Sequence, residues 1–165
     1  PVVVTRFSNI YGPGQLNFSA LVPDSITSAL GYKKLIPRSD GTLIRDFIFV
    51  EDVADLYLKI AQGISKNPQR MAGEIFNAGT NDPVTVRKLL EKVYTLVGNK
   101  IDYEALLELM KDQKAVGEID CQFMDYEKVQ EFFNWRPTHS LKDGLDKSIE
   151  WYRRWNEANI KKKYE

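Results

Sequence analysis

The chain has 165 residues, 43% of them hydrophobic, which suits one globular domain with a real core. Lys plus Arg number 23 and Asp plus Glu 23, so the formal charge is zero, a balance that speaks against a nucleic-acid binder with its basic excess. Cys121 and His139 are the single residues of their kinds, which excludes an intramolecular disulfide and argues against a zinc site or a Cys-His nucleophile pair.

The chain opens on "PVVVTRF", a β-branched run of the sort found in parallel strands buried on both faces. Such a strand needs neighbours, so the sequence reads as the latter part of something longer. "SNIYGPGQLNFSALVP" follows as a loop broken by Gly12, Pro13 and Gly14, and a helix is expected from about Pro23 to Leu30, stopped by Gly31. "KLIPRS" and "TLIRDFIF" read as two extended segments around an Asp40-Gly41 turn, a hairpin signal. Helical spacing takes over at Val53, Leu56, Tyr57, Ile60, Ala61 and Ile64. Glu51, Asp52 and Asp55 then form a solvated first turn.

"GEIFNAGT" is a short strand, and an amphipathic helix follows, capped by Thr85 and Gly98, with Val86, Leu89, Leu90, Val93 and Val97 as its stripe. A short helix is predicted over 103–111, an extended "GEIDCQFM", and a helix in "DYEKVQEFFNW". The last helix starts at Ser140, with Asp143 in capping-box spacing and a stripe of Leu141, Leu145, Ile149, Tyr152 and Trp155. His139, beside that start, takes a surface or capping role, and Lys161, Lys162 and Lys163 a solvated helix end. No apolar run reaches membrane-spanning length and nothing resembles a signal peptide, so a cytoplasmic protein without a membrane partner is expected.

This is alternating α/β. No G-x-G-x-x-G, no G-x-x-x-x-G-K-[ST] and no Tyr-x-x-x-Lys occurs in it. What remains is a set of polar residues at the ends of apolar segments: Asn9, Arg38, Arg45 and Asn77. Arginine presents a fixed fork of donors to phosphate oxygens, and asparagine adds neutral donors. Converging, the four would suit a diphosphate at strand ends. The alternative is that Arg45 pairs with a carboxylate as structural glue. Strand alternation sends Asp46 to the opposite face from Arg45, which weakens a pair between those two.

Four stretches, "TRFSNIYGPG", "RDFIFVEDVADLYL", "GEIFNAGT" and "FNWRPTHSLKDGLDKSIEWY", resemble the C-terminal part of extended short-chain dehydrogenase/reductases, the NDP-sugar epimerase/dehydratase family. The resemblance implies the substrate-binding portion of a modified Rossmann fold lacking its N-terminal dinucleotide-binding half. Residues 1–165 would then be a single fragment, the last Rossmann strands plus the sugar-nucleotide lobe. "GQLNFSALVPDSI", "LIPRSDGTLIRDF" and "GEIDCQFMDYEKV" are most similar to the 4,6-dehydratases that act on CDP-glucose, which makes CDP-glucose the expected substrate. A 4-epimerase, a decarboxylase or a non-catalytic sugar-nucleotide-binding homologue is the alternative.

Carried over by residue, the resemblance gives Ser8, Asn9 and Tyr11 to the border of NAD. It gives Asn9, Asn17, Leu21, Val22, Arg38, Arg45 and Asn77 to the sugar nucleotide, with Leu21 and Val22 also explicable as plain core. Arg38 would stack on the base and Arg45 grip the diphosphate. The glycine-rich loop and catalytic Tyr-Lys pair of the family are absent from these residues, so no catalytic residue is assigned, NAD would be held mainly elsewhere, and the fragment by itself would be inactive. The family's usual homodimer would form through helices upstream.

Overall fold

The computed structural model describes residues 1–164, with side chains for residues 1–159; the side chains of Lys161, Lys162 and Lys163 lie outside the described residues. The opening segment is one extended run that changes partners midway. Its first part, β1 (Val4–Phe7), pairs in parallel with β5 (Ile75–Ala78), and its second, β2 (Asn9–Tyr11), pairs in parallel with β4 (Phe47–Phe49). The switch falls at Ser8 and Asn9, where the Ser8 amide donates to the Ala78 carbonyl and the Asn9 amide to the Asp46 carbonyl, both at 3.0 Å.

"TLIRDFIF" is likewise not one strand. It breaks at Asp46 into β3 (Ile44–Arg45) and β4, which belong to different sheets. β3 is the centre of a small sheet between β6 (Val84–Thr85), antiparallel, and β7 (Cys121–Gln122), parallel. The Asp40-Gly41 hairpin does not form. Residues 41–45 pair instead with the approach to α4 (Val86–Val97), through the Arg87 amide on the Gly41 carbonyl and the Val86 amide on the Leu43 carbonyl, both at 2.9 Å. Asp40 turns the chain locally, its carboxylate accepting from the Thr42 amide. Gly41 has φ of +83°, and a Cβ there would collide with Met110 Cε, so the glycine serves a close helix approach rather than a two-residue turn.

Helices cover both sides. α1 (Leu21–Ala29), α4, α5 (Lys100–Met110) and α7 (Leu141–Tyr164) share one core with Tyr11, Phe47 and Phe49; α2 (Val50–Lys66), α3 (Pro68–Met71) and α6 (Glu127–Phe133) share a second with Ile48, Phe76 and Trp135. The alternation of Phe47, Ile48 and Phe49 along β4 divides these two cores, and all three are buried.

The expected caps are present. The Lys88 amide donates to Thr85 Oγ1, Gly98 is left-handed at φ 87°, and Ser140 and Asp143 satisfy each other's amides at 3.3 and 3.2 Å. On α2, Val53, Leu56 and Ile60 are buried, whereas Tyr57 and Ala61 are exposed. Tyr57 packs on Phe7 from outside and meets Thr5 Oγ1 with its hydroxyl. Among the described residues, no helix is long and apolar enough to cross a membrane.

Candidate functional site

The two breaks in the extended chain lock each other. Asn9 donates to the Asp46 carbonyl through both its amide N–H, at 3.0 Å, and its side-chain Nδ2, at 2.9 Å. The Asp46 side chain, fully buried, turns away from Arg45 toward the end of β5. Its carboxylate accepts from the Thr80 amide at 3.0 and 3.2 Å, from the Thr80 hydroxyl and, at 3.5 Å, from the Met124 amide. Gly79 makes room for it: a Cβ there would overlap Asp46 Oδ2 and the Met124 carbonyl. The "RDF" and "NAG" stretches thus meet through Asp46 and Thr80.

With Asp46 committed on one face, Arg45 faces the other. It lines a cavity of about 220 Å³ together with Asn9, Leu21, Arg38 and Glu118 over an apolar floor that includes Leu35, Leu90 and Met110. The Arg45 side chain is 12% exposed. One Nη donates to the carbonyls of Ile44 and Ile119 at 2.8 and 2.7 Å, and the other to Glu118 Oε2 at 3.0 Å. Arg45 does pair with a carboxylate, then, but across the cavity wall and not along the strand. Arg38 is exposed at the rim and has no ion-pair partner among the described residues.

Asn9 also borders a second, smaller cavity of about 70 Å³ with Ser8 and Met124. Ser8 Oγ is buried there with no hydrogen-bond partner among the described residues. Tyr11 is 2% exposed and its hydroxyl donates to the Leu141 carbonyl at 3.3 Å. Burial, with Asp52 and Asp143 nearby, pushes that hydroxyl well above the usual tyrosine range, so its side chain belongs to the core.

The other expected residues lie apart from the cavity lining. Val22 is core at 3% exposure. Asn17 organises its own loop, its Oδ1 accepting from the Ser19 amide and hydroxyl. Asn77 is exposed on β5, in register with Arg6 of β1. The cavity gathers Asn9, Leu21, Arg38 and Arg45, and adds Glu118, which sequence reasoning passed over as part of an extended segment.

The acidic start of α2 is also not a solvated turn throughout. Asp52 is 3% exposed and accepts from the Thr138 amide and hydroxyl and from the His139 amide, with His139 Nδ1 at 3.0 Å. Burial by itself would raise the Asp52 carboxyl, but the hydrogen bonds from His139 and Thr138 outweigh it and hold the group below the ordinary aspartate range. His139 therefore ties α2 to the start of α7. Among the described residues, no group of three or more His, Cys, Asp or Glu side chains could hold a metal ion.

A parallel α/β scaffold here delivers an arginine and an asparagine to one cavity by breaks in its strands, at strand ends of the kind where open α/β sheets bind ligands. The model of the "NAD dependent epimerase/dehydratase family" matches residues 1–79. The human dTDP-D-glucose 4,6-dehydratase is 30% identical over 157 residues, 93% of this chain and 42% of that protein. The dTDP-glucose 4,6-dehydratase of Bacillus anthracis, solved in complex with NAD, superposes with a TM-score of 0.73 and is 31% identical, covering 95% of this chain and 46% of that one. UDP-glucose 4-epimerase of Thermotoga maritima, solved with UDP-glucose, shares the fold at a TM-score of 0.71 and 24% identity over 93% of this chain and 46% of that one. The fold is that of the epimerase/dehydratase structures, and the comparisons support the epimerase/dehydratase family for this chain. The chain spans less than half the length of these relatives.

Proposed function

We propose that this chain is the sugar-nucleotide-binding portion of an NAD-dependent NDP-sugar 4,6-dehydratase. The observation that carries the reading is the convergence of Asn9, Arg38 and Arg45 on one cavity with an apolar floor. Arg45 has five N–H donors, three of them engaged, which leaves two to grip a diphosphate. Arg38 at the rim offers its plane to a base, and Leu35, Leu90 and Met110 give an apolar bed. The two relatives at 30% and 31% identity described above are both named as dTDP-glucose 4,6-dehydratases, which favours this reaction class.

In such a reaction C4 of the sugar is oxidised, the C5 proton becomes acidic, water is lost across C5–C6 and hydride returns to C6; NAD supplies the hydride acceptor and donor. The residues here fit one edge of that cofactor. Ser8 carries a buried hydroxyl without a partner among the described residues, beside the exposed Asn9 at the strand break, and the adjoining cavity of about 70 Å³ suits a border and not an enclosure. Asn9 borders both cavities and so would hold substrate and cofactor in register. These groups bind and orient; the sequence contains no Tyr-x-x-x-Lys to move a proton.

CDP-glucose is the substrate the stretches at 14–26, 35–47 and 117–129 favour, against the dTDP-glucose named for those two relatives. Calorimetric titration of the whole protein with CDP, UDP, dTDP and GDP decides the base, with CDP expected to bind most tightly. Equal affinity for all four, or a preference for another base, overturns CDP. With the sugar nucleotide of the preferred base, proton NMR should show a C6 methyl doublet replacing the C6 methylene. Inversion at C4 with C6 intact would make the protein an epimerase, and binding without turnover a non-catalytic homologue. A failure to bind any of them would end the reading.

A further inference from the structure

The cavity beside Arg45 is lined by two carboxylates, Asp24 and Glu118. Asp24 is tied to Lys33 at 2.6 Å, away from the arginines. Glu118 is different. Its Oε2 sits 3.0 Å from the Arg45 guanidinium, on the donor edge that a phosphate oxygen would use. A diphosphate entering there meets a like charge and competes with it for the same guanidinium.

The surroundings allow Glu118 to leave. Its side chain is 58% exposed, whereas that of Arg45 is 12% exposed and fixed by two backbone carbonyls. Glu118 belongs to the irregular stretch between α5 and β7, immediately after Gly117, which is left-handed at φ 73°. The chain is pinned just beyond it, where the Ile44 amide donates to the Asp120 carbonyl at 2.8 Å. Arg45 can therefore stay in place while the acid rotates into solvent.

Resting on the reading of Arg45 as a diphosphate ligand, we propose that Glu118 is an internal stand-in for the ligand's phosphate, holding Arg45 in its binding geometry and exchanged for the diphosphate on binding. Glu118 is thus a positioning residue that sets the affinity and the selectivity for anionic ligands. It lowers affinity by competing, and it discriminates against weakly charged molecules that cannot displace it.

The test titrates the whole protein, as wild type, Glu118→Ala and Glu118→Gln, with nucleoside diphosphates and separately with inorganic pyrophosphate. Glu108→Gln, which removes an exposed acid paired with Lys111 and outside the cavity lining, controls for net charge. Releasing this half-exposed ion pair predicts about fivefold tighter binding in Glu118→Ala, about 1 kcal/mol, with a smaller gain in Glu118→Gln and none in the control. Unchanged or weaker binding in both Glu118 variants, with nucleotides still bound by wild type, overturns the stand-in and leaves the sugar-nucleotide reading in place. Conversely, pyrophosphate bound more tightly by Glu118→Ala, with no nucleotide bound better than pyrophosphate, upholds the stand-in and removes the sugar-nucleotide reading. If neither pyrophosphate nor nucleotide binds any form, both fail.

Discussion

Asp46→Asn isolates the buried carboxylate that joins the two strand breaks. The substitution keeps size and shape, so packing in the cavity left by Gly79 is unchanged and the change falls on hydrogen bonding. In the native protein, one oxygen accepts from the Thr80 amide and hydroxyl, and the other from the same amide at 3.0 Å and the Met124 amide at 3.5 Å. An amide group turns one of those acceptors into a donor facing N–H groups, at a position with no exposure to water. Losing charge-assisted bonds costs about 1.5–3 kcal/mol, and a buried unsatisfied donor about 1–3 more, so we expect a loss of about 3 kcal/mol in urea unfolding. For a domain of this length that corresponds to a fall in Tm of roughly 6–12 °C. The Asn9 contacts use the Asp46 backbone carbonyl, so ligand affinity at temperatures where the variant is folded should change little. A stability change below about 0.5 kcal/mol, the range of ordinary surface substitutions, would refute the role given to this carboxylate.

Gly79→Ala should destabilise by at least the 1–3 kcal/mol typical of overpacking, because one of the three atoms its Cβ meets is the Met124 backbone oxygen, which cannot swing away. Combined with Asp46→Asn, the two losses should not add, and additivity in a double-mutant cycle would show that the sites are independent. The Asp52 carboxyl lies below its unfolded value, so its contribution to stability is present above about pH 4 and is lost as pH falls through the lower, folded value. Asp52→Asn should therefore reduce stability at neutral pH and flatten the acid side of a pH–stability profile. An unchanged acid limb would contradict the helix tie through Thr138 and His139.

The regular elements were legible because their signals are local. Thr85 with Gly98, and Ser140 with Asp143, mark helix ends by bonds made within a few residues, and the stripes between them show which face is buried. The failures have a common physical origin in distant partners. Asp40-Gly41 carries hairpin chemistry, yet α4 captures the backbone on its far side, and Met110 from α5 claims the space at Gly41. Asp52 looks like any acidic first-turn residue until Thr138 and His139 arrive from elsewhere in the chain. Arg45 and Asp46 were separable by strand alternation, but the donors to Asp46 are 34 and 78 residues away, and the anion on Arg45 is 73 away. The site was legible in its cations and illegible in what positions them.

The convergence on Arg45 carries the functional account, and Arg45→Ala tests it most directly when affinity and stability are read on the same preparation of the whole protein. Its ion partner Glu118 is more than half exposed, which limits that pair to roughly 0–1 kcal/mol of folding stability. A lost charge-assisted grip on a diphosphate costs about 1.5–3 kcal/mol of binding, roughly 10- to 150-fold. Nucleotide-sugar affinity should fall within that range, while urea unfolding shifts by about 1–2 kcal/mol, the loss of the exposed pair and of the bonds to the Ile44 and Ile119 carbonyls. A large loss of stability with unchanged affinity would contradict the account and make Arg45 a structural residue.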